Sequence, residues 1–349
     1  MQLKELTALR APSGFEDEAR SAIAREAEAI LAGEGRVFAD TIGNLYAVRD
    51  ARRAGLAHVM LCAHMDEAGF IVTRATDEGL LKLACVGEID AQCALSRRVL
   101  VGEKGVPGVV GLKAIHLMSR EEREARPKLG SLAIDIGASS KEEAERLCPP
   151  GSYAAFDSAY REFGEGFVKA KALGSRAGCA VLLHALRESR YAGKITCVFT
   201  AQHEVGLRGA AVAGKRVQPD VALVLDGAQA MDMGMTPAHE RGAVCGGGAA
   251  VYMMDRRRVA GHALMKRALD VAAARGIGAQ VCRGLGIGSD AGALELCGAG
   301  IPCLTLGVPC RYIRTPSCVA RRSDIEAAKA LTLAMLEDME EHAHEYGTL

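Results

Sequence analysis

Three apolar runs end in side chains that bind protons or metals. Val59-Met60-Leu61-Cys62-Ala63 leads into His64-Met65-Asp66-Glu67. Ile195-Thr196-Cys197-Val198-Phe199-Thr200 leads into Gln202-His203-Glu204, and Val221-Ala222-Leu223-Val224-Leu225 ends at Asp226. Each run has the length and aliphatic make-up of a buried strand. A single His or Asp at a strand end is commonly a hydrogen-bonded structural residue. Imidazole and carboxylate together at three strand ends suit a divalent ion such as zinc or cobalt in a hydrolytic site, where the ion polarises a carbonyl and acidifies water. Asp66, two residues past His64, is placed to fix the imidazole tautomer. His203, with its ordinary near-neutral pKa, is a sensible base or third ligand.

The elements that must position these groups alternate between strand and helix. A helix is expected over 16–31, started by Ser13 as N-cap with Glu16 completing a capping box. Helices are also expected over 177–189, from 206, over 258–275 and over 323–344. Such alternation implies a mostly parallel sheet covered on both faces, which builds its sites at the carboxyl ends of its strands. Between residues 69 and 164 the texture changes to short β-type pieces punctuated by glycine, among them Phe70-Ile71-Val72, Val99-Leu100-Val101 and Leu132-Ala133-Ile134. The expected organisation is an α/β domain from residues 1–68 and 165–349, with an all-β barrel-like module, 69–164, inserted.

Composition narrows the function classes. The 349 residues are 49% hydrophobic, with 43 basic and 43 acidic side chains, so the formal charge is zero. That argues against a nucleic-acid binder, which needs a basic surface. No apolar run is long enough to span a membrane. The twelve cysteines include no Cys-x-x-Cys pair, several sit in apolar runs, and Met1-Gln2-Leu3-Lys4-Glu5-Leu6 lacks an apolar signal core. Reduced thiols and a cytoplasmic location are expected. Gly284-Leu285-Gly286-Ile287-Gly288 reads as a pocket loop rather than a nucleotide loop, Arg256-Arg257-Arg258 as a solvated basic face heading a helix, His116 as structural or at an interface, and His342 and His344 as surface residues.

Ala63-His64-Met65-Asp66-Glu67-Ala68-Gly69-Phe70 resembles the first metal motif of the glutamyl/tetrahedral aminopeptidases, co-catalytic metallopeptidases sometimes labelled endoglucanases. Gln202-His203-Glu204-Val205-Gly206 resembles the second. Ser289-Asp290-Ala291-Gly292-Ala293 and the segment from Val308 to Pro316 are similar to the C-terminal pattern, and Leu132–Ala138 fits the inserted β-domain. The resemblance implies a metal-dependent aminopeptidase acting on short peptides and a large homo-oligomer. It assigns His64, Glu204 and Asp226 to ligand positions and Asp66 to orienting His64.

Three positions depart from that pattern. The resemblance implies an Asp bridging two ions where this chain has Gly174, a general-base Glu where it has His203, and a ligand His where it has Arg314. Glycine removes the carboxylate between two dications, and Arg carries a charge it cannot shed. Three readings follow. A single zinc, cobalt or manganese ion persists on His64 and Asp226, with His203 as third ligand or base. Alternatively, the site is metal-free and an Arg314–Glu204 ion pair fills it, leaving a binding or regulatory subunit that works beside an intact paralogue. The third is metal-free chemistry on Ser175, His203 and Glu204.

Overall fold

The computed structural model describes residues 1–343 apart from Met235, Leu285 and Ile287. Among the described residues the chain forms an eleven-stranded sheet and a closed six-stranded barrel. Parallel pairing is concentrated at the centre of the sheet. Val59–His64 lies between Ile195–Thr200 and Val221–Gln229, with Cys303–Arg311 next in line, all four parallel. Antiparallel strands extend both flanks, Leu45–Arg49 and Gly35–Ala39 on one side and Cys318–Arg321, Phe167–Ala170 and Arg161–Phe163 on the other, while Ala249–Asp255 branches off antiparallel to Cys303–Arg311 and carries Ala279–Gly284 parallel to itself.

The central strands are buried along nearly their whole length, Gln229 alone among these three strands being half-buried, because both faces are covered. Period-two alternation divides their side chains. Leu61, Ala63, Leu223 and Leu225 join the core beneath helices Leu173–Glu188 and Arg322–Glu341. Met60, Cys62, Val198 and Val224 face Ala210 and Ala213 of helix Arg208–Val217. Each buried aliphatic side chain contributes roughly 1.5–3 kcal/mol, so the central register is strongly fixed. That register pairs Thr200 with His64 and Cys62 with Val224, so the three site strands end at one level.

Small residues bring helix Leu173–Glu188 close to the sheet. Gly174 and Gly178 lie one turn apart. A Cβ on Gly178 would sit 2.6 Å from the Leu225 carbonyl oxygen, and one on Gly174 would sit 2.8 Å from Gly227 Cα. Both are closer than van der Waals contact allows.

The barrel strands run from Gly69–Ala75 to Tyr153–Phe156, all antiparallel, around Phe70, Val72, Leu81, Val99, Val101, Val110 and Ile134. Arg161–Phe163 already pairs with Phe167–Ala170 of the large sheet, so the chain is back in that sheet a few residues before the expected return at 165.

Some local expectations are corrected. The second helix is Asp17–Leu31, and Ser13 does not cap it: its hydroxyl donates to Asp66 Oδ2 instead. Glu16 occupies the cap position and accepts from the backbone N–H groups of Gly14 and Gln202. Arg258 is not on a solvated face. It is buried ahead of helix His262–Ala274, donates to the Cys303 carbonyl at 2.8 Å and pairs with Glu295 at 2.5 Å. The last helix is Arg322–Glu341, and His344 lies outside the described residues, as do Leu285 and Ile287 of the glycine-rich loop.

Candidate metal centre

The level strand ends bring His64, His203 and Asp226 together. One ligand atom from each lies within 4.8 Å of the others, and all three residues are buried. The two imidazole rings stack nearly parallel, 10° apart in plane, with centroids 3.8 Å apart. The loop carrying His203 is clamped from both sides. Asn44 accepts from the Ala201 N–H and donates to the Gly209 carbonyl, at 2.9 and 3.0 Å. Gln202 is held in left-handed backbone at φ +56°, an unfavourable state for a residue with a side chain and one that clusters at functional sites.

Each imidazole has its own carboxylate. His64 Nδ1 lies 3.3 Å from Asp66 Oδ1, while its Nε2 faces Asp226 Oδ1 at 3.5 Å. His203 Nδ1 lies 2.8 Å from Asp290 Oδ1, which leaves Nε2 available to an ion. Asp290 is fixed by Thr200 Oγ1 at 2.5 Å and Asp66 by the Ser13 hydroxyl and the Glu204 N–H. A carboxylate on the far nitrogen of a histidine is the usual support for a metal ligand, because it fixes tautomer and ring orientation.

The electrostatics of the cluster favour a cation. Burial opposes the charged form of His64, yet Asp226 and Asp66 carry its pKa well above the ordinary value. Burial and the neighbouring His64 oppose a charge on His203, yet Asp290 raises it. Burial likewise works against ionised Asp66 and Asp226, and contact with His64 holds both below the usual carboxylate range. Three buried carboxylates around two imidazoles leave excess negative charge, which either protons or a divalent ion can neutralise. The donor set, two imidazoles and a carboxylate with an open fourth direction, fits one ion of zinc type.

The neighbouring side of the pocket is different. Glu204 does not join the three-residue group. Its Oε2 lies 3.2 Å from Arg314 Nε, and Arg314 also pairs through Nη1 with Glu88 of the barrel. Gly174 faces Gly227 with no room for a side chain, so it brings no ligand to this side of the pocket. These residues do not fit a second ion. Ser175 is turned away from His203: its hydroxyl donates to the Ala172 and Asp66 carbonyls, so no Ser–His pair is present for nucleophilic chemistry.

Sequence reasoning gave Asp290 no role of its own and took Ser13 only as a helix cap; in the site they make their contacts across 87 and 53 residues of chain. The only available signal for Asp290 was its place in the Ser289-Asp290-Ala291-Gly292 segment. Lys171 and Glu67 also line the pocket and pair at 2.5 Å, and burial lowers the Lys171 pKa against the pull of Glu67.

Comparison with known proteins agrees with this architecture. A putative aminopeptidase of Acetivibrio thermocellus is 35% identical over 94% of this chain and 96% of its own length. The TET aminopeptidase of a marine-sediment Thaumarchaeota archaeon is 29% identical with a TM-score of 0.92, covering 99% of this chain and 97% of the other. The TET1 peptidase of Pyrococcus horikoshii, which can assemble into a tetrahedron or a large octahedral shell, is 30% identical with a TM-score of 0.84, covering 96% and 98%. The family model for M42 glutamyl aminopeptidase matches residues 43–331. By fold and by sequence, the chain belongs to the M42 glutamyl aminopeptidase family.

Proposed function

We propose that this protein is a single-metal aminopeptidase that removes residues from the amino end of short peptides, with zinc, cobalt or manganese held by His64, His203 and Asp226. The observation that carries this reading is the pair of carboxylate-supported imidazoles, Asp66–His64 and Asp290–His203, aimed at one point beside Asp226. Such support is needed for ligands and is wasteful for surface histidines. A divalent ion there polarises the scissile carbonyl and lowers the pKa of water. Asp66 and Asp290 keep Nδ1 of each ring occupied. His203 is a ligand in this reading, not the base.

The test is elemental analysis of the purified protein with hydrolysis of a peptide panel. One equivalent of metal, lost in His64→Ala, is expected together with release of amino-terminal residues. Metal-free protein that releases no amino acids from the panel sinks the proposal.

A second reading has its own observation. Arg314 against Glu204, with Gly174 packed on Gly227, leaves the second ion position closed, which suits a binding or regulatory subunit in an oligomer with an intact paralogue. Co-purification with such a paralogue, without turnover, distinguishes it. In either case a homo- or hetero-oligomer in the cytoplasm is proposed. Exposed Ile115 and Leu117, 70% and 63% accessible on a barrel loop that also carries exposed His116, support an interface there. Among the described residues no helix is long and apolar enough to cross a membrane.

A further inference from the structure

Glu204 is a carboxylate without a settled task. Its side chain is only 9% exposed, it lines the same pocket as His64, His203 and Asp226, and its Oε2 is buried without a hydrogen bond. The Arg314 Nε contact at 3.2 Å supplies charge but not alignment, so it leaves that oxygen short of a donor. Gly87, at φ +85°, lets the barrel turn press on Glu204: a Cβ at Gly87 would lie 2.9 Å from Glu204 Cβ. The carboxylate is therefore held in place from the barrel side and from its own backbone, whose N–H donates to Asp66.

Leaving a buried carboxylate oxygen unpaired is costly, and a ligand that donates to it removes that cost. The ligand must donate hydrogen bonds. The local charge says what kind of donor it is. Arg314 is shared between the buried Glu204 and the 66% exposed Glu88, so Glu204 has only part of one guanidinium against it. Arg256 reaches the other oxygen of Glu88 only at 3.9 Å and is 67% exposed, so solvent screens it. A cationic donor fits this corner better than an anion does.

On the single-metal reading, the geometry points to Glu204 as the anchor for the substrate's α-ammonium. Arg314 is a positioning residue that holds the carboxylate toward the pocket. The amino end of a peptide then meets Glu204 while its first carbonyl lies toward His64, His203 and Asp226. Selection for a free amino terminus comes from a protein carboxylate instead of an ion.

The test compares two non-hydrolysable probes on zinc-loaded protein by calorimetry: L-leucinol, which carries the amine, and 4-methylpentan-1-ol, which does not. Wild type is expected to bind leucinol about tenfold or more tightly than the amine-free alcohol, the scale of one charge-assisted hydrogen bond. Glu204→Gln should bring the two within about twofold to threefold while zinc content stays at one equivalent, and Glu204→Asp should recover part of the difference. Equal binding of both probes by wild type overturns the proposal, and needs no variant to fold. So does loss of zinc in Glu204→Gln, which makes Glu204 a ligand. A retained tenfold preference in that variant assigns the amine to the metal, and tighter binding of 4-methylpentanoate than of leucinol assigns the corner to a carboxylate on Arg314; both overturn it. Amine preference without peptide hydrolysis leaves this anchor standing and removes the aminopeptidase reading.

Discussion

The two halves of one pocket solve the problem of buried charge in different ways. Around His64, His203 and Asp226, carboxylates outnumber the groups that can neutralise them, and each imidazole is oriented by a dedicated partner. A few residues away, Glu204 faces a guanidinium that is part of the chain, and Gly174 is packed against Gly227. On the single-metal reading, a cation from outside completes the first half. The second carries its cation covalently. A side-chain charge cannot be exchanged, shed or used as a Lewis acid with open coordination positions.

The sharpest way to break this contrast is to remove a ligand from the first half. His64→Ala or His203→Ala should abolish stoichiometric metal by elemental analysis, and a full equivalent retained in His203→Ala would return that residue to the role of base. Next in size is the support. Asp66→Asn and Asp290→Asn should each weaken metal affinity by about 10–100-fold in a chelator competition, because the ring loses its fixed orientation. Equal losses in the two variants are expected if the histidines are equivalent ligands.

The second half should respond in the opposite sense. Gly174→Asp restores the carboxylate that the family pattern carries there, but its Cβ would start 2.8 Å from Gly227 Cα. Helix Leu173–Glu188 must retreat from the sheet to admit it. A loss of about 1–3 kcal/mol in urea unfolding is expected, with no second equivalent of metal, even combined with Arg314→His. A stable double variant binding two ions would show that the two halves are interchangeable after all. Arg314→Met leaves the one-ion content unchanged and costs about 1–2 kcal/mol, since it strips the buried Glu204 carboxylate of its cation while the 23% exposed guanidinium itself loses little.

How far this site could be read from the sequence depends on the distance over which each part acts. The fold was legible because period-two burial, helix alternation and the glycine-punctuated β stretch are local patterns, and the resemblance covered nearly the whole chain. The side chains that line the pocket were also legible, because they directly follow apolar runs. The partners were not. Nothing near Asp290 signals that it meets His203, and nothing near Ser13 signals Asp66; the spacing that suggested a helix cap was satisfied by Glu16 instead. The crowding at Gly174 depends on how closely a helix approaches a sheet, a consequence of Gly178 one turn away that only the packed structure reveals.

The same strand offers an internal control for the electrostatic half of the argument. His58 and His64 flank the two ends of Val59–His64, and their surroundings shift them in opposite directions. His64 lies against Asp66 and Asp226 and is raised. His58 has Thr196 Oγ1 at 2.8 Å from its Nε2, and burial followed by the charge of Lys194 depresses it to about 4, with the pull of Asp220 and Asp50 too weak to compensate. The sign of the effect on stability follows. As pH falls below about 6.5, the ordinary value for His, the unfolded chain takes a proton on His58 while the folded chain stays neutral until about 4. Stability from this group is therefore present above that range and declines as pH falls through it. Because the ring is only half-buried, the effect is small. His58→Gln should shrink the drop in urea midpoint between pH 7 and pH 4.5. An unchanged drop would mean that strand-end histidines in this sheet are tuned by their carboxylates alone and that burial contributes nothing of its own.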